Sequence, residues 1–594
     1  MSMLTRRRSL LLIGALLVVS AGWTITRAYL AKGHLETART QLLQARQAIL
    51  DRDLDRASRE VAAAAVDTHR ARQLTHDPVT SAWAHVPLLG RSLAVSAGMT
   101  AAADDLARDA LPAALASARQ LDPKRVRAKD GRFDLALVKA ATPGLVRSST
   151  IADKVRRRLH ELPRGLVPGV VGSARDRLQS ETDRLAATLE GAAEGVQLAP
   201  AFLGDTTTRR WFVMVQQPGE SRGTGGLLGG FAVMEARDGR VRSIASGSNA
   251  DLPLRTVPAP ATLSKEYLDR YEPLGALDLW QNINMSPDLP TVAEVVEHRW
   301  QLTRHQRLDG VIALDPLALS DLLRGGPPVT LARGRTVTAD QLPEFLALGQ
   351  YEGQSDDPRQ NIGRKDQLSA VASQVVSRLS SAGDSEALLR GLIKAVRSGH
   401  VHVAARDASM SKVLARSGID GSLPRGDAPV AYPVLNNASG GKLDYFLDRT
   451  LTYKAAGCGS SRRTTTISLA LLNQAPSADK LPRYVTTRLT DSATPEHSST
   501  GRLIVSVYGT PGAKLKRATL NGNVLAASQS FDLDVVGTDA ERGLPVWTVL
   551  LDTPPGATQT LTLSLDEPTT SGRARVPEQP LARPLTAHVD VPTC

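Results

Sequence analysis

Cysteine is almost missing from this chain: Cys458 and Cys594 are the whole complement. Two thiols and eleven scattered histidines leave no H-E-x-x-H helix and no Cys/His cluster of the kind that holds zinc. Only His400 and His402 stand close. In "HVHV" they would share one strand face, and two solvent-facing histidines are expected there rather than metal ligands. No G-x-S-x-G elbow is present to expose a nucleophilic serine. Aromatic residues make up only 4% of the chain, against plentiful Ala, Arg and Leu. No RNP, zinc-finger or helix-turn-helix pattern occurs, so nucleic acid is not an expected partner.

Positive charge is what the chain has in excess. The formal net charge is +12, which suits anionic partners such as phosphorylated glycans or lipid headgroups. The alternative is that solvated faces have simply drifted toward arginine. A length of 594 residues exceeds one core and implies two to four domains. Near the N-terminus, Arg6, Arg7 and Arg8 precede an uncharged, mostly apolar run from Ser9 to Thr26. That run has about the 17–25 residues that span a bilayer as a helix. The expectation is a cytoplasmic tail over 1–8 and a single-pass transmembrane anchor over 9–30, with the bulk extracytoplasmic. A cleaved signal peptide is the alternative. No A-x-A-like site is evident, and Trp23 and Tyr29 fit an interfacial belt. Export would let Cys458 and Cys594 form a disulfide that holds down the tail, the other reading being two unpaired thiols.

Leu35, Ala38, Leu42, Ala45 and Ile49 recur at helical spacing, as do Leu50, Leu54, Ala57, Val61 and Ala64. Such seams predict a helical stalk or bundle over 33–198, suited to spacing or self-association. From Arg209 the pattern becomes strand-like, with Asp238-Gly239 as a hairpin turn. Strands then mix with helical patterns, predicting an α/β core domain over 206–425. Alternating Thr- and Val-rich runs such as Thr464–Gln474 and Thr558–Glu567 predict a β-sandwich over 440–567. A Pro-rich, extended tail over 568–594 follows.

The most distinctive stretch is "ESRGTGGLLGG", Glu220 to Gly230. It lacks the lysine and following helix of a Walker A loop, and a dinucleotide fingerprint needs a helix too. What remains is strand, Gly-rich loop, strand, with Gly225 and Gly226 as structural loop residues. Arg222 could grip an oxyanion, or be solvated or paired with Glu220. Asp251 follows the second hairpin strand, and Asp356, Asp357, Arg359, Arg364 and Lys365 precede a helix. Carboxylates and arginines on neighbouring loops suit a divalent metal and a diphosphate, and are equally what ordinary loops and caps contain.

"RRWFVMVQQPGESRGTGGLLGGFAVMEARDGRV", "NINMSPDLPTVAEVVE", "DGVIALDPLALSDLL" and "NASGGKLDYFLDRTLTY" together resemble an actinobacterial domain-of-unknown-function family, number 4012. The resemblance covers about 200–510 and implies an exported, membrane-anchored protein of unassigned activity. A second likeness is to the LytR–CpsA–Psr phosphotransferases, which attach polyprenyl-diphosphate-linked glycans to the cell wall. It implies phosphate-binding roles for Arg222, Arg359 and Arg364, and Mg²⁺ binding by Asp251 and Asp357. The Asp after the first Arg is absent, and the Arg-Gln pair has become Arg364-Lys365. The functional expectation is therefore an envelope protein that binds, and in the fullest form transfers, a phosphorylated or polyprenyl-linked glycan. The alternative is a non-enzymatic scaffold for envelope assembly.

Overall fold

The computed structural model describes residues 3–594, apart from 52, 87–89, 129, 166, 168, 332–333, 353–370, 372–373, 375–384, 489–495, 531 and 534. The chain divides into two compact units, Met1–Ala128 with Phe133–Asp205, and Lys129–Arg132 with Thr206–Cys594.

The first unit is helical. Its main elements are α1 (Met3–Leu50), α2 (Leu54–Thr75), α3 (Gly90–Asp105), α4 (Leu135–His160) and α5 (Gly169–Phe202). Ala57, Val61, Ala64, Thr68, Ala71 and Thr75 form the buried stripe of α2, at alternating steps of four and three. Val138, Ala141, Leu145, Ser148, Ala152, Val155 and Leu159 do the same on α4. Steps of this kind keep one face of a 3.6-residue helix against its neighbour, and the small side chains let the axes approach closely.

The transmembrane anchor expected over 9–30 needs correction. Among the described residues no helix is long and apolar enough to cross a membrane. The apolar run is diluted by Ser20, Gly22, Thr24 and Thr26, and two of these positions serve packing within the unit. Ser20 Oγ accepts from Trp83 Nε1 at 3.1 Å, and Thr24 is buried. Arg27 Nε pairs with Asp77 at 3.1 Å, and Trp23 Nε1 donates to the same carboxylate at 3.3 Å. The tryptophan read as an interfacial anchor is thus tied to Asp77, the N-cap of Pro78–Ala84.

In the second unit, β1 (Arg209–Arg222), β2 (Gly225–Arg237) and β3 (Arg240–Ser248) form a meander. Asp238 and Gly239 both have positive φ, 49° and 78°, the type I′ geometry that matches strand twist. Helix α6 (Leu289–Arg304), strand β4 (Gly310–Leu314), helix α7 (Pro316–Leu323) and strand β5 (Val401–Ala405) follow, with shorter helices between and after them. The sheet order is β3-β2-β1-β4-β5, with β1 and β4 parallel and the other pairs antiparallel. The sheet of the expected α/β core is therefore mixed, built on hairpins rather than on repeated βαβ crossovers. Phe212, Met214, Phe231 and Val233 of the sheet pack on Val292, Val296 and Trp300 of α6, with Tyr267, Tyr271 and Trp280 filling the rest.

Two further sheets face each other. One is built from β6 (Ala431–Asn437), β9 (Gly501–Gly509), β12 (Ala526–Ser528), β13 (Val535–Glu541) and β14 (Leu544–Thr553). The other comprises β7 (Leu447–Ala455), β8 (Arg462–Asn473), β10 (Lys514–Leu520), β11 (Asn523–Val524), β15 (Thr558–Pro568) and β16 (Leu585–Asp590). Their orders are β12-β13-β14-β9-β6 and β11-β10-β15-β8-β7-β16. Leu503, Val505, Trp547 and Val549 of the first sheet meet Leu451, Ile467, Leu469 and Leu563 of the second in one core. Strand β6 precedes residue 440. Strand β16 lies inside the stretch expected to be an extended tail, where it pairs in parallel with β7. Cys458 and Cys594 are disulfide-bonded, with Cα atoms 5.5 Å apart, so the tail is stapled as well as paired.

Candidate functional site

The end of β1 and the start of β2 carry the Glu220–Gly226 motif, and each of its polar side chains is engaged. Arg222 is 8% exposed. Its Nε donates to Gln281 O at 3.1 Å, Nη1 to Ser221 O and Asn437 O at 2.9 Å each, and Nη2 to Asn282 Oδ1 at 2.9 Å. Burial lowers its pKa, with the Glu220 and Asp444 charges opposing the shift. The fork of the guanidinium is filled by neutral oxygens from three segments, and no carboxylate is among its hydrogen-bond partners.

The neighbours follow the same rule. Ser221 donates to Asp444 Oδ2 through its backbone N at 2.8 Å and its Oγ at 2.6 Å. Asn437 Nδ2 donates to the same carboxylate, and Gly223 N donates to Asn436 Oδ1. Glu220 pairs with Lys442 at 2.7 Å, both largely buried. The Lys442 ammonium lies 5.3 Å and 4.7 Å from the ring centroids of Tyr351 and Tyr484, which stack on each other. Gln579 Nε2 donates to Arg222 O at 2.7 Å. The glycines permit this closeness: a Cβ on Gly223 would lie 2.2 Å from Met285 O, and one on Gly226 2.2 Å from Gln217 C. The motif is a weld between the mixed sheet and the sandwich.

A second weld is built from residues 270–286 and 506–548. Glu541, 1% exposed, accepts from Tyr271 Oη at 2.7 Å, Tyr508 Oη at 2.5 Å and Ser286 Oγ at 2.5 Å. Arg270 Nη2 reaches Ser506 Oγ and Thr548 Oγ1 across the same seam. Burying such groups is costly unless they are hydrogen-bonded, and these bonds offset much of that cost.

Asp251 caps a 3₁₀ turn. Its Oδ2 accepts from Ser248 N at 2.7 Å and Ser248 Oγ at 2.8 Å. It borders a cavity of about 360 Å³ with Phe231, Trp300, Arg304 and Gln306. Asp251 and Arg222 share no hydrogen-bond partner among these contacts. Asp357, Arg359 and Arg364 lie outside the described residues. Among the described residues no group of three His, Cys, Asp or Glu side chains is placed to hold a metal ion. The Mg²⁺ set expected from Asp251 and Asp357 includes a residue outside the described ones.

The two close histidines differ from expectation. His400 precedes β5, and its Nδ1 lies 2.5 Å from Asp315 Oδ2, whose other oxygen caps α7. Burial works against protonation of His400, yet this bond raises its pKa overall. His402 lies within β5 and is half-buried, and its Nδ1 is buried without a partner among the described residues.

The chain was also compared with known proteins. Residues 207–351 match the DUF4012 family, described as a protein of unknown function. No curated protein and no solved structure matches the chain. The DUF4012 segment runs from β1 to Tyr351, so it holds Glu220, Ser221, Arg222 and one wall of the Lys442 site. Their partners Asn437, Lys442 and Asp444 lie beyond it.

The DUF4012 segment also supplies one side of a cleft that sequence reasoning did not find. Pro260, Pro290, Ala293, Glu294, Glu297 and His298 line it from one side, and Ala404, Ala405, Arg406, Ser411 and Asp420 from the other. Its volume is about 390 Å³. Burial pushes the Glu297 carboxyl up to about 7, and burial also raises Glu294. The one sequence signal was two acids three apart on a helix, which is indistinguishable from an ordinary solvated face.

Proposed function

We propose that this protein is a non-enzymatic scaffold of the extracytoplasmic cell envelope, whose second unit serves as a rigid assembly body. The observation that carries this reading is the complete internal use of Arg222. A phosphotransferase of the LytR–CpsA–Psr kind would need that guanidinium turned toward a diphosphate. Here a ligand phosphate would have to displace four protein acceptors. Asp251 is likewise committed to its cap. The stapled tail agrees with an oxidising compartment, where disulfides persist. The small-residue seams of the helical unit are buried within that unit, which agrees with the spacing role expected of the region.

The test uses the full chain with vesicles carrying a polyprenyl-diphosphate-linked oligosaccharide and Mg²⁺. The expected result is no consumption of the lipid-linked glycan and no binding beyond that to vesicles lacking it. Glycan turnover, or binding that disappears in a folded Arg222→Lys variant, would overturn the scaffold reading in favour of the phosphotransferase one.

A further inference from the structure

The two sulfurs of the disulfide stand in different surroundings. Cys458 and Cys594 are both exposed, and Cys458 sits between Gly457 and Gly459, each with open space beside it. Among the described residues no donor reaches Cys458 Sγ, whereas Arg463 Nη1 lies 3.7 Å from Cys594 Sγ. Arg463 belongs to β8 and is 3% exposed. Its Nε donates to Glu567 Oε2 at 3.0 Å, and its Nη1 also donates to Pro592 O at 3.1 Å. Glu567 has donors on both oxygens, since it also accepts from Tyr453, Thr465 and Thr510. Arg463 keeps one unused group: its Nη2 is buried without a partner among the described residues. A cation beside a cysteine lowers its thiol pKa, and the sulfur of lower pKa is the better leaving group in thiol–disulfide exchange.

The bond holds a sheet edge. The chain is fixed as far as Arg583: Gln579 and Leu581 are buried, and Arg583 pairs with Asp448 at 2.7 Å. Beyond it, β16 lies at the edge of its sheet, where Leu585–Asp590 pairs with Arg449–Lys454 of β7. Residues 586–590 are exposed. We infer that Cys458–Cys594 is a redox-operated clasp, opened by a dithiol that attacks Cys458 and expels Cys594. The attacking thiolate bonds to Cys458 Sγ as the bond between the two cysteines breaks, and the electron pair leaves on Cys594 Sγ as a thiolate beside Arg463. The second thiol of the dithiol then displaces Cys458, whose sulfur takes up that thiol's proton. The dithiol ends as a disulfide and the two cysteines end reduced. Opening releases residues 585–594 and leaves the β7 edge free for strand pairing. The inference does not depend on the scaffold reading, because no residue of the Arg222 weld takes part in the exchange.

The test treats the folded full chain with reduced glutathione, without denaturant, then alkylates with iodoacetamide and maps both cysteines by mass spectrometry. Glutathione is expected on Cys458 and the alkyl group on Cys594, in about tenfold excess over the reverse pattern. Arg463→Met combined with Glu567→Gln removes both charges of the buried pair together, and should bring that ratio close to one. After full reduction by dithiothreitol, hydrogen exchange should quicken over 585–590 and 449–454 and stay slow over 462–473. Reduction that requires denaturant, glutathione shared evenly or found mainly on Cys594, an unchanged ratio in the double variant, or unchanged exchange over 585–590 would each overturn the inference. If the double variant fails to fold, the wild-type regiochemistry and exchange still decide.

Discussion

Replacing Arg222 by methionine separates a structural weld from a ligand grip. The change keeps an apolar stem and removes all four hydrogen bonds. It strips Gln281 O, Asn437 O and Asn282 Oδ1, three acceptors from outside the motif, of a charged donor. Each buried acceptor left unsatisfied costs about 1–3 kcal/mol. Three of them amount to roughly 5 kcal/mol, a change of several thousand-fold in the folding equilibrium. Lysine should recover only part of this, because an ammonium cannot span acceptors that a planar fork reaches in three directions. Guanidinium unfolding of the full chain, followed by tryptophan fluorescence, provides the assay. Trp211, Trp280, Trp300 and Trp547 are buried in the second unit and report its transition. An arginine held ready for phosphate would be neutral or stabilising to replace, since active-site charges commonly carry a stability penalty. A loss below about 1 kcal/mol in Arg222→Met would refute the weld.

Further expectations follow from the same structure. Gly223→Ala should lower the same transition by at least 2 kcal/mol or so, because the methyl meets backbone at Met285 and Ser286; a neutral outcome would mean the seam is loosely packed. Reducing Cys458–Cys594 opens a bridge between residues 136 apart, with a chain-entropy ceiling of about 5 kcal/mol. Hydrogen exchange should show β16, an edge strand paired only with β7, losing protection first; unchanged protection would show that strand pairing alone holds it. Glu297 has a folded pKa raised above its unfolded value, so its contribution favours folding below about pH 4.5 and is lost as pH rises through about 7. Glu297→Gln should therefore match wild type near pH 4.5 and exceed it at pH 8 by on the order of 3 kcal/mol, as read by thermal melts across that range. A pH-independent difference would contradict the buried, ligand-free carboxyl.

Much of the local structure is legible in the sequence. The seam from Ala57 to Thr75 is written in steps of three and four, and the Asp238-Gly239 turn in two residues that tolerate positive φ. The alternation of Thr464–Gln474 corresponds to β8, whose odd-numbered residues are buried and whose even-numbered ones are more open. Each of these follows from a period or a conformational preference of a few neighbouring residues. The disulfide was legible as one of two possibilities, since sequence shows two cysteines and not their separation.

The rest depended on contacts that no local pattern encodes. What the Trp23 and Ser20 side chains meet depended on Asp77 and Trp83, more than fifty residues away in sequence. The proline-rich tail became a strand because β7 left an edge open to it. Arg222 was recognisable as the special residue of its loop, but its partners come from residues 281–282 and 437. Only their arrival showed that its charge is satisfied by carbonyl oxygens. Glu294 and Glu297 looked like any solvated helix face until β5 and Asp420 closed over them. The sequence by itself determined periodicity, turns and the position of the distinctive loop, because these are properties of adjacent residues. Tertiary structure alone decided which charges are buried and what they meet, because desolvation and hydrogen bonding depend on segments brought together from across the chain.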